Sequence, residues 1–423
     1  MPASVVADFL IRNSREVVTC AGPAPRRGRA QADAAVVERG VVASQLGRIV
    51  FVGPEAGWRD AGTLAADAVT IDAAGGAVVP GFVDAHTHAV FAGDRRAELR
   101  RRLAGATYAE IAAGGGGILE TVRATRAASE SDLVAATRGR LDEMLRSGTT
   151  TCEIKSGYGL TTESELKMLR VVARLAAGHA MELSPTFLGA HDVPPEFRGR
   201  RSAYVDLVRR EMLPEVAASG LAEWCDVFCE SGVFSPEDAR AILSDARRAG
   251  LKPRIHADEL GPSGGARVAA ELGVRSADHL IFVDADGARA LAAAGTVATL
   301  LPAAAFFLKV GRFAPARTLI GHGVPVAIAS DLNPGGGFSA SLPFAMTLAC
   351  FGMGMTFEEA LVGATLNAAY ALDRHDRLGS LEPGKQMDAV IVDGPAIDLV
   401  RIGADAIRLV VKKGRIIDRD ARR

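Results

Sequence analysis

Runs of four to eight apolar residues recur through the middle of the chain, separated by segments with helical spacing. The runs are Val78–Asp84, Thr149–Lys155, Leu183–Ala190, Cys225–Glu230, Pro253–His256, Ser276–His279, Val297–Pro302 and Val326–Ser330. They are nearly continuous rather than alternating, the pattern of parallel strands covered on both faces. Between them, Ser131–Ser147 sets Leu133, Val134, Leu141 and Leu145 on one stripe. Thr162–Ala176 does the same with Leu166, Leu169, Val172 and Leu175, and Pro236–Ala249 and Gly265–Leu272 each precede a further strand. Eight strands alternating with helices predict an α/β chain built as a (β/α)8 TIM-like barrel.

The two ends follow a different pattern. Short β-like pieces occur at Ala35–Val42, Arg48–Val52 and Ala68–Asp72, and again at Ala389–Val392, Ile407–Val411 and Gly414–Ile417. Neither end can bury a core alone. The expectation is one small β-sandwich domain assembled from residues 1–75 and 380–423, with the barrel, residues 76–379, inserted between. The arginine- and glycine-rich stretch Pro23–Arg29 reads as a surface loop.

Composition narrows the functional classes. Hydrophobic residues make up 48% and charged residues 23%, so a large core is possible. The net charge of −1 leaves no basic footprint for nucleic acid. Ala290–Leu308 is uncharged and almost long enough to span a bilayer, but Gly295 and Pro302 interrupt it, so no membrane span is expected. The five cysteines, Cys20, Cys152, Cys225, Cys229 and Cys350, are odd in number and scattered, which argues for free thiols in a reducing cytoplasm.

The polar residues at the ends of the predicted strands carry the chemistry. His86 and His88 stand two apart after the first run, and residues i and i+2 of a strand point to the same side. The fifth run ends in His256, with Glu259 three residues on; the sixth ends in Asp278-His279 and the eighth in Asp331. Catalytic groups of such barrels sit at the carboxyl ends of strands. Three histidines and an aspartate, His86, His88, His256 and Asp331, suit one zinc or iron ion. Any one of these histidines alone reads as an ordinary core residue; the four together, each at a strand end, do not. A bound divalent cation lowers the pKa of its water to about 7 and so supplies a nucleophile at neutral pH. Glu259 is placed to carry a proton to a leaving nitrogen, and His279 to polarise a carbonyl or hold an oxyanion. His375, in the charged stretch Asp373–Arg377, reads as surface, and His179 and His322 fall at the opposite barrel face. Gly114–Gly117 lacks the Lys-Ser/Thr of a phosphate loop and reads as a mobile loop over the barrel mouth.

These motifs resemble the amidohydrolase superfamily and, within it, the imidazolonepropionases of histidine degradation. The resemblance runs from about residue 78 to 392. It rests on Pro80-Gly-Phe-Val-Asp-Ala-His-Thr-His88, Ile154-Lys-Ser-Gly-Tyr-Gly-Leu160, Gly189-Ala-His191, Ile255-His-Ala-Asp-Glu259, Ala277-Asp-His279 and Ser330-Asp-Leu-Asn-Pro-Gly335. The Lys-Ser-Gly-Tyr-Gly-Leu stretch is the most diagnostic of these, since the whole superfamily shares the metal ligands. The resemblance implies hydrolysis of the cyclic amide of 4-imidazolone-5-propanoate to N-formimidoyl-L-glutamate, with one divalent or trivalent metal ion, Zn or Fe, per subunit. It implies His86, His88, His256 and Asp331 as ligands, with Asp331 also catalytic beside Glu259 and His279. It implies substrate contacts from Arg95, Tyr108, Tyr158, His191, Glu259 and Asn333, and from the Gly335 backbone. A cytoplasmic homodimer is expected.

Arg95 has independent support, because guanidinium binds a carboxylate such as the propanoate through a two-point fork. Its neighbours Arg96, Arg100, Arg101 and Arg102 read as solvated. The family usually carries Ser or Thr where this chain has Gly336, so a backbone amide must replace the hydroxyl there. Strand four ends in Cys229-Glu230 without the lysine that bridges two ions in binuclear relatives, so one metal is expected, with Glu230 as a buried hydrogen-bond partner. Two other readings stay open: a nucleobase-type deaminase using the same ligands, and a barrel serving as a non-catalytic scaffold. Arg95 and Tyr158 speak against the first, and the complete ligand set with Glu259 and His279 against the second.

Overall fold

The computed structural model describes residues 5–106 and 116–417. Tyr108 and the first half of Gly114–Gly117 lie outside the described residues.

Eight parallel strands stand side by side in chain order: Phe82–Asp84, Thr149–Lys155, Glu182–Ala190, Trp224–Cys229, Ile255–Ala257, Ser276–His279, Val297–Leu300 and Val326–Ile328. Every residue of the second strand is buried, as its unbroken apolar run requires. The first and eighth strands meet just beyond their ends. Asp331 N–H donates to the His86 carbonyl (3.1 Å), His88 N–H donates to that of Leu332 (2.9 Å), and Thr87 bridges Leu332 in parallel. The link that closes the barrel is therefore the same stretch that carries the candidate metal ligands.

The intervening helices start where sequence chemistry stops the preceding loop. Ser129, Thr161 and Ser235 each accept a backbone N–H three residues on, and Ser235 completes a capping box with Asp238. The helices Glu130–Arg146, Thr162–Ala176, Pro236–Arg248 and Gly265–Leu272 fall within a residue of expectation.

Two further sheets use both ends of the chain. One joins Val5–Arg12, Gly40–Gln45, Arg48–Pro54 and Gly62–Asp72. The other runs Arg415–Ile417, Ile407–Lys412, Ala389–Val392, Ala77–Pro80, Glu16–Val18 and Val36–Glu38. Phe9, Ile11, Val42 and Ile49 of the first pack on Val17, Val78, Ile391 and Val411 of the second.

Three expectations need correction. The run Val78–Asp84 is two strands: Ala77–Pro80 pairs antiparallel with Ala389–Val392 in the terminal sheet, and only Phe82–Asp84 enters the barrel. Pro80-Gly81 marks the break between them. Pro23–Arg29 is not simply a surface loop, because Arg26 is buried and its N–H donates to Asn367 Oδ1 (2.8 Å). Asp373–Arg377 is at the surface but not free in solvent: its residues are half-buried or exposed, Arg374 and Arg377 pair with Glu182, Arg374 also with Glu223, and His375 packs on Tyr370 at 4.7 Å.

Candidate active site

At the carboxyl ends of the strands the barrel opens into a cavity of about 660 Å³. Its floor is made of imidazoles. His86 Nε2 lies 3.4 Å and His88 Nε2 3.5 Å from Asp331 Oδ1, and His256 Nε2 lies 3.4 Å from His88 Nε2. Four donors on a tetrahedron with bonds of about 2.0–2.1 Å are separated by roughly 3.3–3.4 Å. His86 Nε2 and Asp331 Oδ1 are buried and have no hydrogen-bond partner. Buried polar atoms of this kind require one; His86, His88 and Asp331 offer donor atoms within 4.8 Å of one another, a set that can hold a single divalent cation, and His256 adjoins it through His88. His279 stands next to this group, within metal-ligating reach of His86 and His256.

The ligand rings are aimed from behind. His86 Nδ1–H donates to Asp278 Oδ2 at 2.7 Å, which leaves Nε2 to face Asp331. Arg254 Nη2 braces the same oxygen at 3.2 Å. His256 Nδ1 lies 3.0 Å from Asp226 Oδ2, and Lys155 Nζ lies 2.8 Å from both Asp226 and Glu153. Carboxylates behind ligand imidazoles fix the tautomer and raise ligand basicity. Lys155 and Asp278 were named in the sequence only as parts of their motifs, without this supporting role, and Asp226 and Arg254 were missed. Their signal was present, as charged residues within or beside runs read as apolar.

Burial sets the protonation states. Burial, with Lys155 and the neighbouring histidines, holds His86 well below the usual imidazole range; burial and the other histidines do the same for His88. His279 is also held low, chiefly by burial. His191 is lowered to about 3, again by burial first and by His256 second. All four imidazoles are therefore neutral, the form that ligates or accepts. Burial raises Asp331 to about 7, and burial with the charges of Asp331 and Glu230 lifts Glu259 well above the ordinary carboxyl range. Glu259 Oε1 lies 3.6 Å from His279 Nδ1. A carboxyl raised toward neutrality beside a neutral imidazole can take and return a proton.

His279, Asp331 and Arg95 all have positive φ, at 74°, 52° and 47°. Such backbone costs on the order of 1–3 kcal/mol per residue and persists only where surrounding contacts enforce it.

Arg95, Tyr158, His191 and Glu259 form the upper wall of the cavity. His191 stacks on His88 at 4.9 Å and 17°, and its Nδ1 bonds the Gly157 carbonyl at 2.9 Å, leaving Nε2 as the outward atom. Phe228, Phe282 and Leu308 also line the cavity and were not foreseen.

Asn333, Gly335 and Gly336 line the wall too, but their polar groups serve the loop itself. Asn333 Oδ1 accepts the N–H groups of Gly335 (2.8 Å) and Gly336 (2.7 Å), and its Nδ2 donates to the Asp331 carbonyl (2.7 Å). The Gly335 carbonyl accepts from Arg102 Nη2 at 2.6 Å. The expected backbone contacts from Gly335 and Gly336 are thus already used, and Asn333 shapes the loop. A side chain at 336 would meet Leu308 Cγ at 2.8 Å, so leucine fills the space that a hydroxyl would take. Arg102, expected in solvent, is buried. Glu230 is a buried partner, taking the N–H groups of Glu259 and Leu260.

The amidohydrolase family pattern matches residues 77–417. The chain belongs to that family. Curated relatives named imidazolonepropionase share 51% identity over 413 residues in Symbiobacterium thermophilum, covering 97% of each chain, and 48% over 420 residues in Geobacillus kaustophilus, covering 98% of this chain and 99% of that one. This amidohydrolase also aligns with the crystal structure of a zinc-bound adenosine deaminase from Xanthomonas campestris. The TM-score is 0.70 at 20% identity, over 98% of this chain and 93% of that one. A triazine hydrolase variant aligns with a TM-score of 0.71 at 19% identity, over 96% and 94%. At those identities the solved structures speak for the fold alone.

Proposed function

We propose that this enzyme opens the ring of 4-imidazolone-5-propanoate by hydrolysis, giving N-formimidoyl-L-glutamate in histidine degradation. The observation that carries the reading is the donor set of His86, His88 and Asp331, with His256 Nε2 3.4 Å from His88 Nε2, under Glu259 and His279, in a chain about half identical to proteins named imidazolonepropionase. A divalent metal, zinc or iron, held there supplies a water acidic enough to act near neutral pH.

The chain's own residues do the rest. Arg95 takes the propanoate, Tyr158 and His191 orient the ring, and His279 donates toward the carbonyl oxygen as charge grows on it. Water adds oxygen to the carbonyl carbon, the ring C–N bond breaks, and Glu259 moves the water's proton to the leaving nitrogen. Asp331 holds a lone pair toward the attacking water. The apolar wall of Phe228, Phe282 and Leu308 keeps bulk water from the ring. Tyr108 belongs to the proposed contacts on resemblance alone.

The enzyme is proposed to act as a homodimer in the cytoplasm. Five free cysteines support a reducing compartment, and no helix among the described residues is long and apolar enough to cross a membrane.

The test is to add 4-imidazolone-5-propanoate to metal-loaded enzyme and follow the decay of its ultraviolet absorbance. Decay above the spontaneous rate, with N-formimidoyl-L-glutamate as product, is expected. No acceleration, or deamination of a nucleobase instead, overturns the proposal.

A further inference from the structure

Two buried charges beside Arg95 lie outside the scheme so far. Arg95 precedes the helix Arg96–Leu103. Counted along that helix, Arg95, Glu98 and Arg102 are spaced three and four apart, and so share one face. All three are buried, whereas the Arg96 side chain is 83% exposed. Glu98 takes Arg95 in a fork, with Arg95 Nε on Oε2 at 2.8 Å and Nη2 on Oε1 at 2.6 Å. The same carboxylate accepts Arg102 Nη2 at 3.0 Å and the Gly117 N–H at 3.0 Å.

Arg102 reaches further. Its Nη2 donates to the Gly335 carbonyl (2.6 Å) and its Nη1 to that of Phe307 (3.0 Å). One side chain thus ties the segment after strand one to the loops after strands seven and eight. Gly335 is part of the fit, since a Cβ there would sit 2.1 Å from Arg95 Nη1. Glu98 remains ionised: burial pushes its carboxyl up, but Arg95, the Gly117 N–H and Arg102 outweigh that and hold it below the ordinary glutamate range.

We propose that Glu98 and Arg102 are positioning residues that hold the Arg95 guanidinium at the cavity wall, so that preference for a carboxylate-bearing ring depends on them though neither is expected to touch the substrate. The inference rests on the proposed function. A guanidinium on a flexible stem loses rotamer entropy when it grips a ligand, and a prebuilt fork lowers that cost. The neighbouring loops gain order from the same bonds. A shift of about an ångström in such a clamp is worth up to about a hundredfold in rate.

The test compares the propanoate substrate with the same ring carrying an ethyl group. In wild-type enzyme, kcat/KM should favour the propanoate. Arg102→Gln should reduce that preference by about tenfold to a hundredfold, mostly through KM, and Arg102→Lys should restore part of it. Glu98→Gln should act in the same direction, and it provides the reading if Arg102→Gln fails to fold. Calorimetry with imidazole-4-propanoate, which cannot be hydrolysed, should show the same loss of affinity. An unchanged preference in both variants, or an equal loss on both substrates, overturns the positioning role. Wild-type enzyme inert toward the imidazolone overturns the function itself, a separate outcome.

Discussion

Glu259 is a buried carboxyl that burial and two neighbouring acids push upward, and it stands beside His279. Replacing it with Gln keeps shape and volume but removes the proton carrier. We expect Glu259→Gln to retain its metal and to lose about 10²–10⁴-fold in kcat. Metal analysis beside steady-state kinetics checks this, and full activity would remove Glu259 from the mechanism. Gly336 offers a second test at this scale. Leu308 lies where a side chain at 336 would go, so Gly336→Ala should cost about 1–3 kcal/mol in denaturant unfolding. In Gly336→Ala/Leu308→Ala the two losses should be less than additive, by about 0.5–3 kcal/mol. Strict additivity would show that the pair does not compete for space. Most single residues of the floor were legible because chemistry singles them out: a histidine pair two apart, and an aspartate after an apolar strand. Arg102 was not. Nothing in Arg100-Arg101-Arg102 separates the three until the helix is phased on Glu98, and that phase needs the helix boundary.

The long strands and capped helices were legible because each carries a consistent period and a start signal. Gly62–Asp72 pairs parallel with Val5–Arg12 yet is mostly exposed or half-buried, so its first half carried no apolar run to find. Leu342–Met353 has a single polar side chain, Thr347, and so shows neither period. Pro80–Gly81 hid a change of sheet inside one run. We propose that the composite β unit extends through Pro80 rather than ending at 75, because Ala77–Pro80 pairs, among the described residues, with strands from the two chain ends. Its junction with the barrel is also held by ions. Glu182, opening strand three, meets Arg377 at 2.8 Å and Arg374 at 3.2 Å in the segment leading back to the terminal sheet. Burial pushes Glu182 up, but Arg377 and Arg374 outweigh it, so its folded pKa lies below the ordinary 4.5. A carboxyl depressed by folding adds stability above its unfolded pKa, and that stability is lost as pH falls through the folded one. Glu182→Gln should therefore cost about 1.5–3 kcal/mol at pH 7. The gap from wild type should narrow as pH drops below 4.5. Melting curves from pH 7 to 3 check this, and a pH-independent gap would show that the ion pairs are not its source.

For the molecule as a whole, the question is whether the metal builds the fold or occupies one already built. The ligands come from strands one, five and eight, and three of the four are held without an ion. His86 is held by Asp278, and the His256 ring lies against Asp226. Asp331 is held by its N–H bond to the His86 carbonyl, which also closes the barrel. His86, His88 and Asp331 are buried, with His86 and His88 held low and Asp331 raised to about 7. A prebuilt site whose buried charge is reduced in this way has no large electrostatic reason to burst when empty, unlike a small domain whose core is its metal. Chelation should then abolish turnover and leave far-ultraviolet circular dichroism unchanged. The melting temperature should fall and recover with added metal, since a ligand at 100 times its Kd adds about 2.7 kcal/mol to the native state. Loss of the dichroism with the metal would mean that the cation organises the barrel. Turnover surviving in metal-free protein would mean that the histidine floor serves some other chemistry.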